Sequence, residues 1–145
     1  MSASVTEAFL ARVYLVLLGA GTAAAGRVYR GRPDAFAADE VPAINIRRSD
    51  GQFNASGRGA DHAVFEFEIE HQVRGDAWET DADSLHMQAH AALAADAQLA
   101  TLGAGLRCTR TQAAGDTGDQ TLGRITATYQ AQALVRVGDL TALVR

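Results

Sequence analysis

Three histidines and a set of carboxylates are the residues of this chain best equipped to act as a site. His86 and His90 stand four apart in a stretch of helical periodicity, with Asp83 three residues before His86. Side chains at these spacings share a helix face, and histidines at i and i+4 suit zinc. The stretch lacks the glutamate of a His-Glu-x-x-His hydrolase motif, and the three fall on the polar side, opposite Leu85 and Ala92. The expected reading is a solvated or subunit-facing edge, with a small metal-dependent hydrolase as the alternative from a different class. His71 falls on the apolar face of a strand, with no Ser or Cys nucleophile motif placed to use it. It reads as a packed, hydrogen-bonded histidine. Cys108 is the single cysteine, so no internal disulfide is available, and without a Cys-x-x-Cys context it reads as structural.

Glu66, Glu68 and Glu70 form an acidic ladder on one strand. Paired carboxylates serve acid–base catalysis, but three on an outward face are expected to be solvated. If copies of the chain closed into a ring, the ladder would line a channel and repel DNA phosphates. Asp116 and Asp119, set among glycines, mark a hairpin turn rather than a calcium loop, because EF-hand spacing is absent. The sequence contains no phosphate-binding glycine loop and no dinucleotide fingerprint. Residue chemistry by itself therefore points to no enzyme.

The elements that position these residues centre on Ala63 to Arg74. Ala63, Phe65, Phe67, Ile69, His71 and Val73 alternate strictly with Val64, Glu66, Glu68, Glu70, Gln72 and Arg74, the period of a half-buried strand. A strand of that length projects beyond its own core or lines a larger assembly. A first helix is expected from Ser4 to about Leu18, with Ser4 and Glu7 in capping-box spacing. A short strand at Arg27–Arg30 follows, and then a strand opened by Pro42 with Ile44 and Ile46 inward. Ser49 to Ala60 reads as a polar loop of twelve residues, longer than a hairpin needs. Asp50, Phe53, Asn54 and Arg58 make it a candidate partner-binding arm. A second helix is expected from Trp78 or Asp81 to Leu102, capped by Asp76 with Glu79 or by Thr80 with Asp83. Its buried stripe would be Trp78, Ala82, Leu85, Ala89, Ala92 and Leu99. Strands at Leu106–Gln112 and Leu122–Val137 complete the order α-β-β-β-α-β-β. That order describes one α+β domain over residues 1–145, a mainly antiparallel sheet with both helices on one face.

Composition agrees with this: the chain is 48% hydrophobic and 21% charged, which is globular rather than disordered. A net charge of −4 argues against general nucleic-acid binding. The uncharged run between Arg12 and Arg27 is too short to span a bilayer. It also lacks the basic start of a secretory signal, so a core helix is expected there and no membrane partner.

Several local phrases, taken together, resemble the tail terminator proteins of long-tailed bacteriophages, the lambda-type minor tail protein or tail completion family. They are the N-terminal helix, Tyr29-Arg30-Gly31-Arg32-Pro33 with Ala35-Phe36, and Glu40-Val41-Pro42-Ala43-Ile44 leading into a strand. The polar loop, the long strand, the early aspartates of the second helix and Thr128-Tyr129 continue the resemblance over most of the chain. It implies a hexameric ring at the head-proximal end of the tail, made in the host bacterial cytoplasm and carried in the virion. The ring would stop polymerisation of the tail tube protein and offer a joining surface to the head connector protein. DNA would pass through its channel unread, and neither catalysis nor a cofactor is implied. Val137 to Arg145 extend past the usual close of the family. Another ring component, such as a neck, head-completion or tail-tube protein, is the nearest alternative.

Overall fold

The computed structural model describes residues 2–116 and 121–144. In chain order the elements are α1 (Val5–Leu18), β1 (Val28–Arg30), a 3₁₀ turn (Ala38–Glu40), β2 (Ala43–Gly57) and β3 (Ala60–Arg74). They continue with α2 (Trp78–Ala95), α3 (Ala97–Leu102), β4 (Ala104–Asp116), β5 (Leu122–Arg136) and β6 (Asp139–Leu143). The strands form one sheet in the order β1-β2-β3-β5-β4, with β6 pairing β5 beyond the end of β4. Every pairing is antiparallel except β1 with β2. The expected α+β fold and element order are thus present.

The alternation in β3 is realised as read. Ala63, Phe65, Phe67, Ile69, His71 and Val73 are buried, and they lie on the same sheet face as Ala127, Tyr129, Ala131, Ala133 and Val135 of the neighbouring β5. α1 and α2 cover this side. Phe9, Leu10, Val13 and Leu17 of α1 and Ala82, Leu85, Ala89 and Leu93 of α2 are fully or almost fully buried. Phe9 meets Phe65 edge-on at 5.0 Å between ring centroids. The Ser4 side chain accepts from the Glu7 amide at 3.1 Å and caps α1 as its sequence suggests.

Three expectations are corrected. Ser49 to Ala60 is not a loop: β2 runs on to Gly57 and pairs with β3 up to Gly57↔Ala60. Arg58 and Gly59 make a two-residue turn, with φ of +53° and +74°, the backbone of a tight hairpin that matches strand twist. The second helix is broken, because Asp96 ends α2 and caps α3. Its carboxylate accepts from the Leu99 amide at 2.9 Å and binds Arg12 of α1 through two bonds of 3.0 and 2.7 Å. Neither acidic pair caps α2, whose N-cap is Ala77 without a side-chain bond. Beyond the end of β5 at Arg136 the chain turns back, and Asp139–Leu143 continue the sheet as β6. The turn assigned to Asp116–Asp119 falls largely on residues 117–120, outside the described residues.

Trp78 is only half-buried, yet it fixes how closely α2 approaches the sheet. A Cβ placed on Gly115 would lie 2.7 Å from its ring, and one on Gly123 would interpenetrate it. Two glycines on adjacent strands therefore make the indole's seat.

Candidate subunit interface

The residues that suggested a family resemblance form a small structural knot. β1 lies parallel to β2, with Tyr29 opposite Asn45. Gly31 adopts φ of +62° and donates to the Ile46 carbonyl at 2.7 Å, a conformation that favours glycine. The Arg32 guanidinium stacks over Phe36 at 4.1 Å and Tyr29 at 5.0 Å and pairs with Glu40 at 2.8 Å. That partner raises the Arg32 pKa and lowers that of Glu40. Arg30 pairs with Glu7 of α1 at 2.5 Å, which lowers the Glu7 pKa. A cis bond precedes Pro42, whose carbonyl accepts from Arg27 at 2.8 Å. These contacts pin residues 27–42 to β2 and α1.

The acidic ladder lies on the face opposite α1 and α2, as expected, but it is not uniformly acidic. Glu70 is taken up by Arg47 in an ion pair and by Asn45 at 3.2 Å. Glu66 accepts from Ser49 at 3.3 Å. Arginines share this face. Arg107 sits opposite Gln130, which sits opposite Glu66; Arg110 sits opposite Thr128, which sits opposite Glu68. Directly opposed residues of antiparallel strands share a sheet face. The Glu68 row continues to Arg47 on β2, so it carries an arginine at each end, Arg47 and Arg110.

The two sheet margins are open. β1 covers β2 only over Ile44–Ile46, so Gly51–Gly57 is paired on one side alone. At the far margin, among the described residues, β4 pairs only with β5. Strands with one unpaired side are templates for pairing with another chain. Asp50, Phe53, Asn54 and Arg58 therefore lie not on a flexible arm but along this margin and at its turn. Phe53 stands opposite buried Ala63, hence toward the helix face, yet is 50% exposed. At the same height near β4 a cleft of about 310 Å³ opens between α2, α3 and the start of β4. His90, Leu93, Leu99, Ala104, Leu106 and Tyr129 are among its walls.

The histidines are drawn into the core rather than spread on a polar edge. His86 is 5% exposed and faces the sheet, contrary to the placement opposite Leu85. The Tyr129 hydroxyl lies 2.9 Å from His86 Nε2 and 2.8 Å from His90 Nδ1. It therefore donates to one ring and accepts from the other. His71, as expected, is packed and hydrogen-bonded: its Nδ1–H donates to the Ile125 carbonyl at 2.9 Å. Its Nε2 is buried without a partner, and its ring centroid lies 4.8 Å from that of His86. Burial, reinforced by the nearby His86, lowers the His71 pKa to about 3. Burial first, and His90 second, also lowers the pKa of His86. Burial pushes the Tyr129 hydroxyl well above its ordinary value. His71 and His86 accordingly serve as neutral polar core. Asp83 is exposed and does not join them. No three His, Cys, Asp or Glu side chains are grouped as metal ligands among the described residues.

The alternation of β3 was legible in the residue pattern; the open margins were not, because Gly51–Gly59 bury no face. No family model matches the chain, and no curated protein matches it. Among solved structures it is similar to a chain of the virion of a native gene transfer agent (GTA) particle. The identity is 18%, the match covers 89% of this chain and 90% of that one, and the TM-score is 0.43.

Proposed function

We propose that this chain is a ring-forming structural protein of a tailed-phage-type virion, a terminator that caps the tail tube. In this role it stops tube growth and presents a surface to the head connector, and no covalent chemistry is required of it. The observation that carries the ring is the pair of unlike open margins, the outer half of β2 at one side of the sheet and β4 at the other. A copy cannot satisfy both with itself. Two-fold pairing of like margins would leave the other margin bare, whereas head-to-tail pairing uses both and closes if the rotation is right. β2 and β4 run in opposite directions within one sheet, so juxtaposed copies pair antiparallel without reorientation. The terminator assignment within this ring class rests on the sequence phrases around Tyr29–Pro42.

In such a ring the Glu66–Glu70 face lines the channel. With arginines interspersed it neither grips nor strongly repels a passing duplex, which suits DNA that must slide rather than be read. Electron microscopy of particles assembled without this protein tests the role. Overlong tails are expected. Normal tails beside unjoined heads would assign it to the neck instead.

A further inference from the structure

Resting on the ring reading, we infer that β1 is a register stop. It makes β4 of the adjoining copy slide six residues along β2 and pair with the free edge from Arg47 to Gly57. β3 gives every strand a height. β4 spans the heights of Val64 to Arg74, since Ala104 is level with Gln132 and Val64, and Asp116 with Leu122 and Arg74. On the other margin β1 occupies the heights of Ile69 to His71, where Arg30, Tyr29 and Val28 pair with Ile46, Asn45 and Ile44. A copy joined without sliding would put Gln112, level with Glu70, where Tyr29 stands. Its Arg110 would also face Arg47, both being level with Glu68, and directly opposed like charges destabilise a sheet.

β1 is tied down on both sides. Ile44 donates its amide to the Arg27 carbonyl at 2.9 Å and Gly31 to that of Ile46 at 2.7 Å, while Arg30 holds Glu7 of α1. Gly31 then leaves the margin, and the Arg32 amide donates to Asn45 Oδ1 at 3.1 Å. The free edge therefore starts at Arg47, level with Glu68. Lowering Asp116 from the height of Arg74 to that of Glu68 takes six residues. An even slide keeps every side chain on its own face. A slide of four leaves Asp116 in the place of Tyr29, and a slide of eight shortens the pairing by two residues.

The chemistry across the junction agrees with six. Asp116 comes opposite Arg47, so an opposed ion pair replaces the like charges, and Arg110 comes opposite Asn54. On the helix face the exposed Arg48 comes opposite Gly115, the seat of the Trp78 ring, where a guanidinium can lie against the indole. Half-exposed Phe53 comes opposite exposed Thr111, an aromatic beside a β-branched side chain. Closure agrees as well. Each copy adds four strands, about 19 Å across, and a slide of about 20 Å along them. The strands then tilt by about 45°, at the upper end of the range in which sheets close into barrels; a slide of eight exceeds it. With the usual right-handed crossover from β3 over α2 to β4, and the helices outside, this tilt is right-handed, the hand that strand twist favours.

Disulfide trapping in a Cys108→Ser background tests the register. Gln52→Cys/Gln112→Cys and Asn54→Cys/Arg110→Cys each place directly opposed cysteines across the junction, at a separation that a disulfide spans. All four positions are exposed, and within one copy each pair is split between opposite margins. Mild oxidation should move most of either variant from the monomer band into a ladder ending at the closed ring, and reduction should return it. Gln52→Cys/Ala104→Cys, level without sliding, and Gln52→Cys/Ala114→Cys, level after a slide of eight, should remain monomers on the same denaturing gel. Circular dichroism checks that each variant folds, and the second pair keeps the test open if the first does not. Wild-type rings whose six-residue pairs fail to cross-link, or whose control pairs link instead, would overturn the register stop and leave the ring reading standing. A wild-type chain that never closes would remove the ring reading itself.

Discussion

Acidification between pH 7 and pH 5 should destabilise this protein through His71. In the fold its Nδ1–H is committed to the Ile125 carbonyl and its Nε2 lies buried against His86. A second proton would place an uncompensated cation in the core. The folded pKa is lowered to about 3 from an ordinary 6.5, so below pH 6.5 the unfolded chain binds a proton that the folded one refuses. The contribution is present in full above pH 6.5, falls as pH drops toward 3, and changes no further below that. By pH 5 this one group removes about 2 kcal/mol, or roughly 4–8 °C in Tm for a chain of this size. His86 acts with the same sign. The depressed carboxylates Glu7, Glu40, Asp96 and Asp139 begin from 3.8 to 4.5, so their losses come mainly at lower pH. Urea unfolding at half-unit steps of pH reads the slope directly. His71→Leu should be less stable at pH 7, since the Ile125 carbonyl loses its donor, yet its slope should be shallower by about one proton. Equal slopes in the two proteins would refute the assignment of the neutral state to His71.

Three further outcomes follow from packing. Gly123→Ala should cost about 1–3 kcal/mol by overpacking, because the added methyl meets the Trp78 ring; emission from this single tryptophan should shift to the red as it is displaced. Tyr129→Phe should cost about 1–3 kcal/mol by leaving His86 and His90 without their shared partner, measured by chemical unfolding. Asp96→Ala should cost about 1 kcal/mol as α3 loses its cap. Amide exchange faster at Leu99–Gly103 than elsewhere in the helices would locate that loss, and unchanged exchange there would contradict it.

How much of this was legible in the residues depended on whether a segment buries a face. β3 alternates because one side is core and the other is not, so its period, its length and the packing of His71 were readable. The outer half of β2 buries nothing: Gly51 to Gly59 are exposed throughout. Its strand geometry comes only from pairing with β3, which leaves no periodic trace, and the run of Gly, Ser and Asn reads as a loop. The break at Asp96 was hidden for a related reason. Its carboxylate is held by Arg12, 84 positions away, a partner that local spacing does not reveal. His86 was placed on the wrong side because a polar residue in a helix normally faces solvent. Here Tyr129, buried in the middle of β5, carries a hydroxyl that needs partners, and the pair satisfies it from inside the core. The glycines at 115 and 123 were visible, but their purpose was not until Trp78 was seen lying across them.

The central claim is that unlike margins of one sheet join copies of this chain head to tail into a closed ring. Native mass spectrometry over a concentration series, alone and with tail tube protein, tests it most directly. The account predicts a species six times the 15.3 kDa chain, with few stable intermediates. A chain that stays monomeric under every condition, or that stops at a symmetric dimer, would contradict it.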